Sequence, residues 1–532
     1  MFSVAGLKFL LSGYIPVRDW LDPAISWVSF CALVIIAMFA VSVIMRKQWV
    51  DNERFQLPLT KIPLALLGDE RDDGTPLPPI WNNRIMWMGF AVALVWCLLR
   101  AWRELNPNVP DLRIDVPIGS YLDDPMWGRA WERVNFKLSA IFLSLAIFLE
   151  LNVLASLLVG FLLFRLGFWF GAATGLDVYP MFPFGNQQSQ GAYLAYAVVI
   201  LFFARKHLWR VLRSAVATER NASDGTSESY RGTLLLLGTA FFGAGLWAKW
   251  MDVSVSGLFL TFALILSIGL VAARLRAECG MMWCYHFPAQ AILIMGLLGG
   301  ATLLGPRGLM VGLIALYIMQ VAFHLIPGIQ FDFIELGHRY KVPRRHVLYA
   351  SVLGLFGGMV VAGWVLLSSC YSQGIETFPN QWFFKSSASF YQPYTDMMVE
   401  ATNEFLGETD ASAKQGVEPQ TWAYLYGAAG VLVLSVLRQL FAGFWLHPIA
   451  FVVGATWSMM TIWGNLLVAL IIRFTVLKIG GAAAVREKLF PFFIGVFLGG
   501  VATHLIVGCY DTYLFFFHQG APRVGWPGAI PP

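Results

Sequence analysis

Long apolar blocks separated by short polar segments follow one another along the whole chain. The stretch 25–45 reads ISWVSFCALVIIAMFAVSVIM and contains no charged residue. A helix of about 20 such residues spans the roughly 30 Å hydrocarbon core of a bilayer. The blocks are apolar on all sides and about twice as long as the strands of a membrane barrel. We therefore predict an all-α polytopic bundle of about 12–14 transmembrane helical segments, forming one integral membrane domain over residues 1–532.

The stretch 445–472 is the least regular of these blocks. It is too long for one helix and short for two crossings, and it contains Pro448, Gly454 and Gly464. Because proline and glycine interrupt helices, we predict a re-entrant or broken pair there. The complete set of predicted segments is 27–45, 85–102, 137–150, 153–171, 190–204, 233–250, 255–273, 289–304, 308–326, 346–367, 423–441, 445–472 and 490–507.

Basic residues are concentrated in four loops, at 46–71, 205–220, 339–345 and 478–488. By the positive-inside rule, all four loops are expected in the cytoplasm. The loop 368–422 instead carries seven acidic and two basic residues, so we predict an extracytoplasmic insertion. The same alternation places the N-terminus outside, and we predict no cleaved signal peptide. The expected location is the bacterial inner (cytoplasmic) membrane.

Composition and motifs exclude several classes of function. The net charge of +5 includes no basic run of the kind that binds nucleic acid, and the six cysteines are too scattered for a disulfide framework. We find no phosphate-binding loop, dinucleotide fingerprint or catalytic motif. His324 and His504 lack the second histidine pair that would support haem binding. We therefore predict a protein that is not an enzyme, binds no metal and carries no cofactor.

The stretch 274–288, RLRAECGMMWCYHFP, is the richest candidate site. Arg274 and Glu278 are four residues apart and can pair on one helix face. Charged groups beside a helix break in a membrane are costly, which makes Glu278, Arg274 and His286 candidates for binding a cation or substrate. A cytoplasmic helix end with a purely structural ion pair is the alternative. Zinc is disfavoured, because the spacing of Cys279, Cys284 and His286 is not typical of zinc sites.

Two further candidate sites lie at other interruptions. Gln187 and Gln190 lie at the start of a membrane helix, near an N-terminus whose partial charge favours anions, although simple capping is an alternative. His447 and Trp457 flank the break predicted in 445–472, where freed backbone dipoles can contact a solute, or where tryptophan can anchor the chain at the interface.

A fourth candidate is the stretch 48–66, just beyond the first long block. Glu53 and Arg54 are charged, and Pro58 and Pro63 prevent a continuous helix. The segment is predicted either to dip back into the bundle or to form a solvated linker.

Small residues spaced by four predict close helix packing. The pairs are Gly308 and Gly312, Gly354 and Gly358, and Gly495 and Gly499. Packing within the chain is the main interpretation, and contact between subunits is the alternative.

Several of these segments carry a resemblance to a known family. The stretches RKQWVDNERFQLPLTKIPLAL, QQSQGAYLA, RLRAECG, WLHPIAFVVGATWSMMTIWG, KIGG and FPFFIGVFLGG resemble, in order, those of a family of bacterial multi-pass proteins. That family is similar to the oligopeptide transporter superfamily, whose members carry peptides or metal chelates with protons. Relatives of this type usually have several helices before the first stretch, whereas one precedes it here, so the N-terminal part is shortened. The resemblance implies an inverted-repeat transporter fold, with Glu53, Arg54, Gln190, Glu278 and His447 as the matching positions.

We expect a secondary transporter of a peptide-like or small polar solute, coupled to protons or another cation. In this hypothesis Glu278 is the coupling carboxylate, and His286 or Arg274 modulates it. The alternative is a non-catalytic structural subunit of a larger membrane complex. The expected partners are therefore the lipid bilayer, a solute with a proton or cation, and, in the alternative, a partner membrane subunit.

Overall fold

The computed structural model describes residues 15–68, 78–132, 134–179, 182–216, 230–282, 300–319, 325–373, 403 and 419–517. These residues are helical apart from one small antiparallel sheet and the connecting loops. Within them, nine helices are long and apolar enough to cross a membrane, and the last of these, Trp457–Leu514, joins two helices. The predicted all-α membrane bundle is confirmed. Of the segment predicted at 289–304, residues 289–299 lie outside the described residues, and 300–304 are helical.

In chain order the helices are α1 (Val17–Arg46), α2 (Lys61–Leu67), α3 (Arg84–Leu105), α4 (Pro125–Trp131), α5 (Ala140–Ile147), α6 (Leu151–Thr174), α7 (Gly185–Val216), α8 (Arg231–Trp250), α9 (Val255–Cys279), α10 (Gly300–Met319), α11 (Ile326–Arg339), α12 (Arg344–Gln373), α13 (Pro419–Leu440), α14 (Ile449–Val453), α15 (Trp457–Ala484) and α16 (Phe490–Phe517). The strands β1 (Asp115–Pro117) and β2 (Asn135–Lys137) pair with Val116 opposite Phe136. π-Helical turns, Lys47–Asn52 and Val485–Leu489, follow α1 and α15.

The chain divides into two compact units. Unit 1 comprises Met1–Glu53, Phe203–Leu270 and Phe287–Val417, and unit 2 comprises Arg54–Phe202, Val271–His286 and Glu418–Pro532. Unit 1 is held by buried polar contacts to α1. Glu335 is 2% exposed and accepts hydrogen bonds from Arg46 Nη1 at 3.3 Å and Arg339 Nε at 2.8 Å. The Trp247 indole donates to the Ser26 carbonyl at 2.8 Å.

Glycines bring helices of unit 2 into backbone contact. A Cβ at Gly495 would collide with the Met86 carbonyl oxygen, and one at Gly499 would collide with the Phe90 carbonyl oxygen, so α16 packs directly on α3. The predicted packing of the Gly495 and Gly499 pair within the chain is confirmed. Gly354 in α12, by contrast, has no neighbour within 4 Å in the part of unit 1 that is described.

The membrane segment predicted at 137–150 is wrong as a continuous helix. Only Ala140–Ile147 is helical, and its eight residues rise about 12 Å, less than half of the hydrocarbon core. The Ser139 side chain caps this helix at the Phe142 N–H, and Glu150 is already extended. Side-chain capping therefore limits a stretch whose apolar composition suggested a full span.

The other interruptions follow the predictions. Pro58 begins a 3₁₀ turn, Pro58–Thr60, and α2 is only seven residues long, so no continuous second helix forms. The break predicted in 445–472 is also confirmed. The short helix α14 ends at Val453, and Thr456 is extended immediately before α15 begins at Trp457.

Candidate functional site

Glu278 lies at the centre of a polar cluster in unit 2. Its Oε2 accepts hydrogen bonds from Arg274 Nε at 2.9 Å and from the Tyr196 hydroxyl at 3.1 Å. Its Oε1 accepts from His447 Nε2 at 2.9 Å and lies 3.6 Å from Arg438 Nη1. The Glu278 side chain is 17% exposed, so this carboxylate exchanges most of its water for four polar groups of the protein.

The end of α9 positions this carboxylate. Arg274 and Glu278 are one turn apart, and the predicted pairing of the two is confirmed. The helix stops at Gly280, which adopts a left-handed φ of +69° that glycine tolerates without strain. The Arg274 guanidinium also lies over the Phe55 ring, 4.8 Å from its centroid, which fixes its plane towards Glu278.

His447 has both ring nitrogens engaged. Its Nδ1 accepts a hydrogen bond from the Ile449 N–H at 3.0 Å. The ring hydrogen therefore sits on Nε2, and this N–H donates to Glu278. The backbone N–H of His447 donates to Ser156 Oγ at 2.9 Å, which ties the residue to α6. His447 is 2% exposed.

The broken element that carries His447 is held by its neighbours. Gly160 of α6 and Gly454 both lie so close to the Ala450 carbonyl oxygen that a Cβ at either position would collide with it. The Ser189 hydroxyl of α7 donates to the Val452 carbonyl at 2.8 Å. The Ser189 hydroxyl thus gives a hydrogen bond to a carbonyl at the break, and the glycines let the backbones pack closely around it. The break is therefore a defined part of the fold.

A cavity of about 650 Å³ lies beside the same element. Ala450, Phe451 and Ala455 from the break form one part of its wall. Aromatic and apolar side chains from α6 and α13 dominate the rest, including Phe164, Trp422 and Tyr426. The volume is within the usual range of small-molecule pockets.

The structure brings three of the predicted site residues together: Glu278, Arg274 and His447. Gln187 and Gln190 lie in the first two turns of α7, at 3% and 0% exposure, in the helix that also carries Tyr196. Neither amide atom of Gln190 has a hydrogen-bond partner in the described part of the chain.

The described contacts of the cluster do not include the remaining candidates. Trp457 is 40% exposed at the first residue of α15 and does not hydrogen-bond to Glu278 in the described structure. Glu53 accepts a hydrogen bond from Gln48 Nε2 at 2.9 Å, and Arg54 has a left-handed φ of +56°. His286 lies outside the described residues, as does Cys284.

Two cluster residues were not predicted, Tyr196 and Arg438. Arg438 is the one charged residue in the apolar segment 423–441, and such a residue is a functional candidate by default. That signal was available in the sequence. Tyr196 carries no comparable signal, because an isolated tyrosine in an apolar helix is common.

These features define a multi-pass helical membrane protein with a largely enclosed, ion-paired carboxylate at the end of α9, beside the broken element α14–α15. The chain belongs to a family of unknown function (DUF6785), whose model matches residues 6–519. No curated protein matches the chain. Among the described residues, no group of three or more histidine, cysteine, aspartate and glutamate side chains is arranged to hold a metal ion.

Proposed function

We propose that this chain is a secondary transporter in which Glu278 and His447 couple solute movement to a proton or another cation. The observation that carries the proposal is the 2.9 Å hydrogen bond between Glu278 and His447. His447 lies immediately before the broken element α14–α15. Ionisable groups are expensive within a bilayer and mark ion or solute pathways. Transporters often form such sites from discontinuous helices.

The hydrogen bonds of His447 suggest how a proton would act. A second proton on the ring has to occupy Nδ1, which at present accepts the Ile449 N–H. Protonation therefore breaks that bond and frees the start of α14. Because the next residues, Ala450 and Phe451, line the cavity, the change at His447 reaches the cavity wall directly. Moving one charge through a potential of 100 mV supplies about 2.3 kcal/mol, enough to drive such a step.

The lining of the cavity bears on the solute. Its wall is mostly aromatic and aliphatic, with the Gln188 side chain among the few polar groups. Such a surface suits the apolar side chains of a short peptide better than a fully polar solute. Six sequence stretches resemble a bacterial multi-pass family that is itself similar to the oligopeptide transporter superfamily, and this resemblance favours the same class of solute.

The test is uptake of radiolabelled di- and tripeptides by proteoliposomes under an imposed pH gradient. We expect pH-driven uptake by the native chain and loss of its pH dependence in Glu278→Gln, because the amide removes the charge that holds the His447 and Arg274 contacts. Glu487→Gln is the matched control, since Glu487 is exposed in the π-helical turn after α15. Equal pH dependence in Glu278→Gln and the native chain would refute the coupling role.

A second candidate function is that of a structural subunit of a membrane complex. One observation favours it: in α12, the apolar stretch within Arg344–Ser368 has no residue that is buried by the described part of the chain. A partner subunit would cover such a helix, whereas lipid covers it in a transporter that acts alone. The mass of the intact protein extracted from native membranes distinguishes the two, because a complex contains other chains in fixed ratio.

A further inference from the structure

A second cavity in unit 2 is lined by charged side chains that the transport proposal does not use. Its volume is about 460 Å³. Lys61 from α2, Arg473 from α15 and Arg486 from the following π-helical turn contribute three cations, and Glu150 contributes one carboxylate. The cavity therefore has an excess of positive charge.

The cavity is a built feature of the fold. The Arg473 Nη1 donates to the Ile147 carbonyl at 3.0 Å, where α5 ends, and its guanidinium lies 5.8 Å from the centroid of the Phe490 ring. These contacts hold the arginine in place. Burial, and then the nearby Arg473 charge, lower the pKa of Lys61, while Glu150 acts in the opposite direction. The charged form of Lys61 is thus disfavoured where it lies, and an anion bound in the cavity would stabilise it.

The N-terminus of α6 adds partial positive charge to the same cavity. Leu151 and Asn152, its first two residues, line the cavity, and Glu150 makes no side-chain cap hydrogen bond. The first-turn N–H groups of a 24-residue helix carry a partial positive charge that favours anions, phosphate above all.

We propose that this cavity binds a phosphate group at the membrane surface. Three cations around one space match the charge and the acceptor oxygens of phosphate. Leu151, Leu477 and Phe490 supply apolar wall beside the cations, which suits the headgroup region of an anionic phospholipid. Lys61 and Arg486 also belong to two loops that the distribution of basic residues predicts at the same membrane face.

The experiment measures the melting temperature of the full detergent-purified chain while one component is titrated. The three additions are phosphatidylglycerol, phosphatidylcholine, and sodium phosphate balanced against sodium chloride at equal ionic strength. A rise with phosphatidylglycerol but not with phosphatidylcholine supports the proposal and identifies a lipid phosphate. A rise that sodium phosphate alone saturates supports it and identifies free phosphate. No rise with phosphatidylglycerol or sodium phosphate overturns the proposal.

Variants separate the cavity from general surface charge. Arg486→Gln is expected to weaken binding about fivefold, and Lys61→Gln with Arg486→Gln about 25-fold. Lys488→Gln is the matched control, because Lys488 is exposed in the same π-helical turn and does not line the cavity. Equal weakening in Lys488→Gln and Arg486→Gln overturns the proposal. Arg486 is itself exposed, so the single variant keeps the test available if the double variant does not fold.

Discussion

At the scale of single residues, the contribution of the hydrogen bond from Tyr196 to Glu278 can be tested by removing its donor. Tyr196 is 3% exposed and donates to Glu278 Oε2 at 3.1 Å. Tyr196→Phe removes only the hydroxyl. Hydrogen bonds to charged groups contribute about 1.5–3 kcal/mol, so we expect the free energy of unfolding to fall by about 2 kcal/mol. Denaturant unfolding in detergent micelles measures it.

The control for this substitution is Tyr426→Phe. Tyr426 is 57% exposed in α13, and loss of its hydroxyl should change the free energy of unfolding by less than about 0.5 kcal/mol. If the two variants lose equal stability, the Tyr196 hydrogen bond contributes nothing specific to the cluster.

The sequence predicted part of this cluster because part of it is local. Arg274 and Glu278 pair within one helical turn, and periodicity alone identifies such a pair. His447 lies 169 residues from Glu278, and it was singled out for the proline beside it, with no indication of its partner. Long-range proximity depends on how helices pack, and one sequence contains no direct record of that packing.

At the scale of helices, α7 and α13 approach each other through a reciprocal pair of glycines. A Cβ at Gly191 would collide with the Tyr424 carbonyl oxygen, and one at Gly427 would collide with the Gln188 carbonyl oxygen. Gly191→Ala forces the helices apart, and overpacking of this kind costs about 1–3 kcal/mol. We expect a lower melting temperature for Gly191→Ala in micelles.

Replacement of Gly354 by alanine should not lower the melting temperature in this way. Gly354 in α12 has no described neighbour within 4 Å, and alanine favours a helix by up to about 1 kcal/mol over glycine. Gly354→Ala is therefore expected to keep or raise the melting temperature. A fall as large as that of Gly191→Ala would mean that this face of α12 is covered.

The helices also show which of their boundaries the sequence pattern predicts and which it does not. Pro448 and Gly454 predicted the break between α14 and α15, because these residues interrupt helices through their own backbone geometry. The stretch 137–150 was misassigned, because apolar composition does not reveal that Ser139 caps a short helix. The Ser139 N–H in turn donates to Asn465 Oδ1 at 2.9 Å, a contact between distant segments.

At the scale of the whole molecule, the distribution of basic residues makes a prediction about topology. In a cysteine-free form of the full chain, Lys488→Cys is expected to react with a membrane-impermeant maleimide only in inside-out vesicles. Ser412→Cys, in the acidic loop 368–422, is expected to react only in right-side-out vesicles. Reaction of both positions from one side would show that the orientation derived from charge is wrong.

The membrane class follows from hydropathy, because lipid requires long apolar helices whose backbone groups are paired internally. The grouping of distant segments does not follow. Nothing in the pattern of apolar blocks indicates that Val271–His286 clusters with Arg54–Phe202 and with the C-terminal residues from Glu418 onwards. That grouping depends on backbone contacts such as those of Gly160 and Gly495, which only the folded chain reveals.

The pairing of Arg274 with Glu278 inside one turn also has a consequence for biosynthesis. During synthesis, this turn reaches the translocon long before the ribosome has translated Arg438 or His447. The carboxylate thus enters lipid already neutralised by the arginine on its own helix, and the imidazole arrives afterwards. Chains that terminate before residue 438 would insert this helix normally and would still lack a finished site.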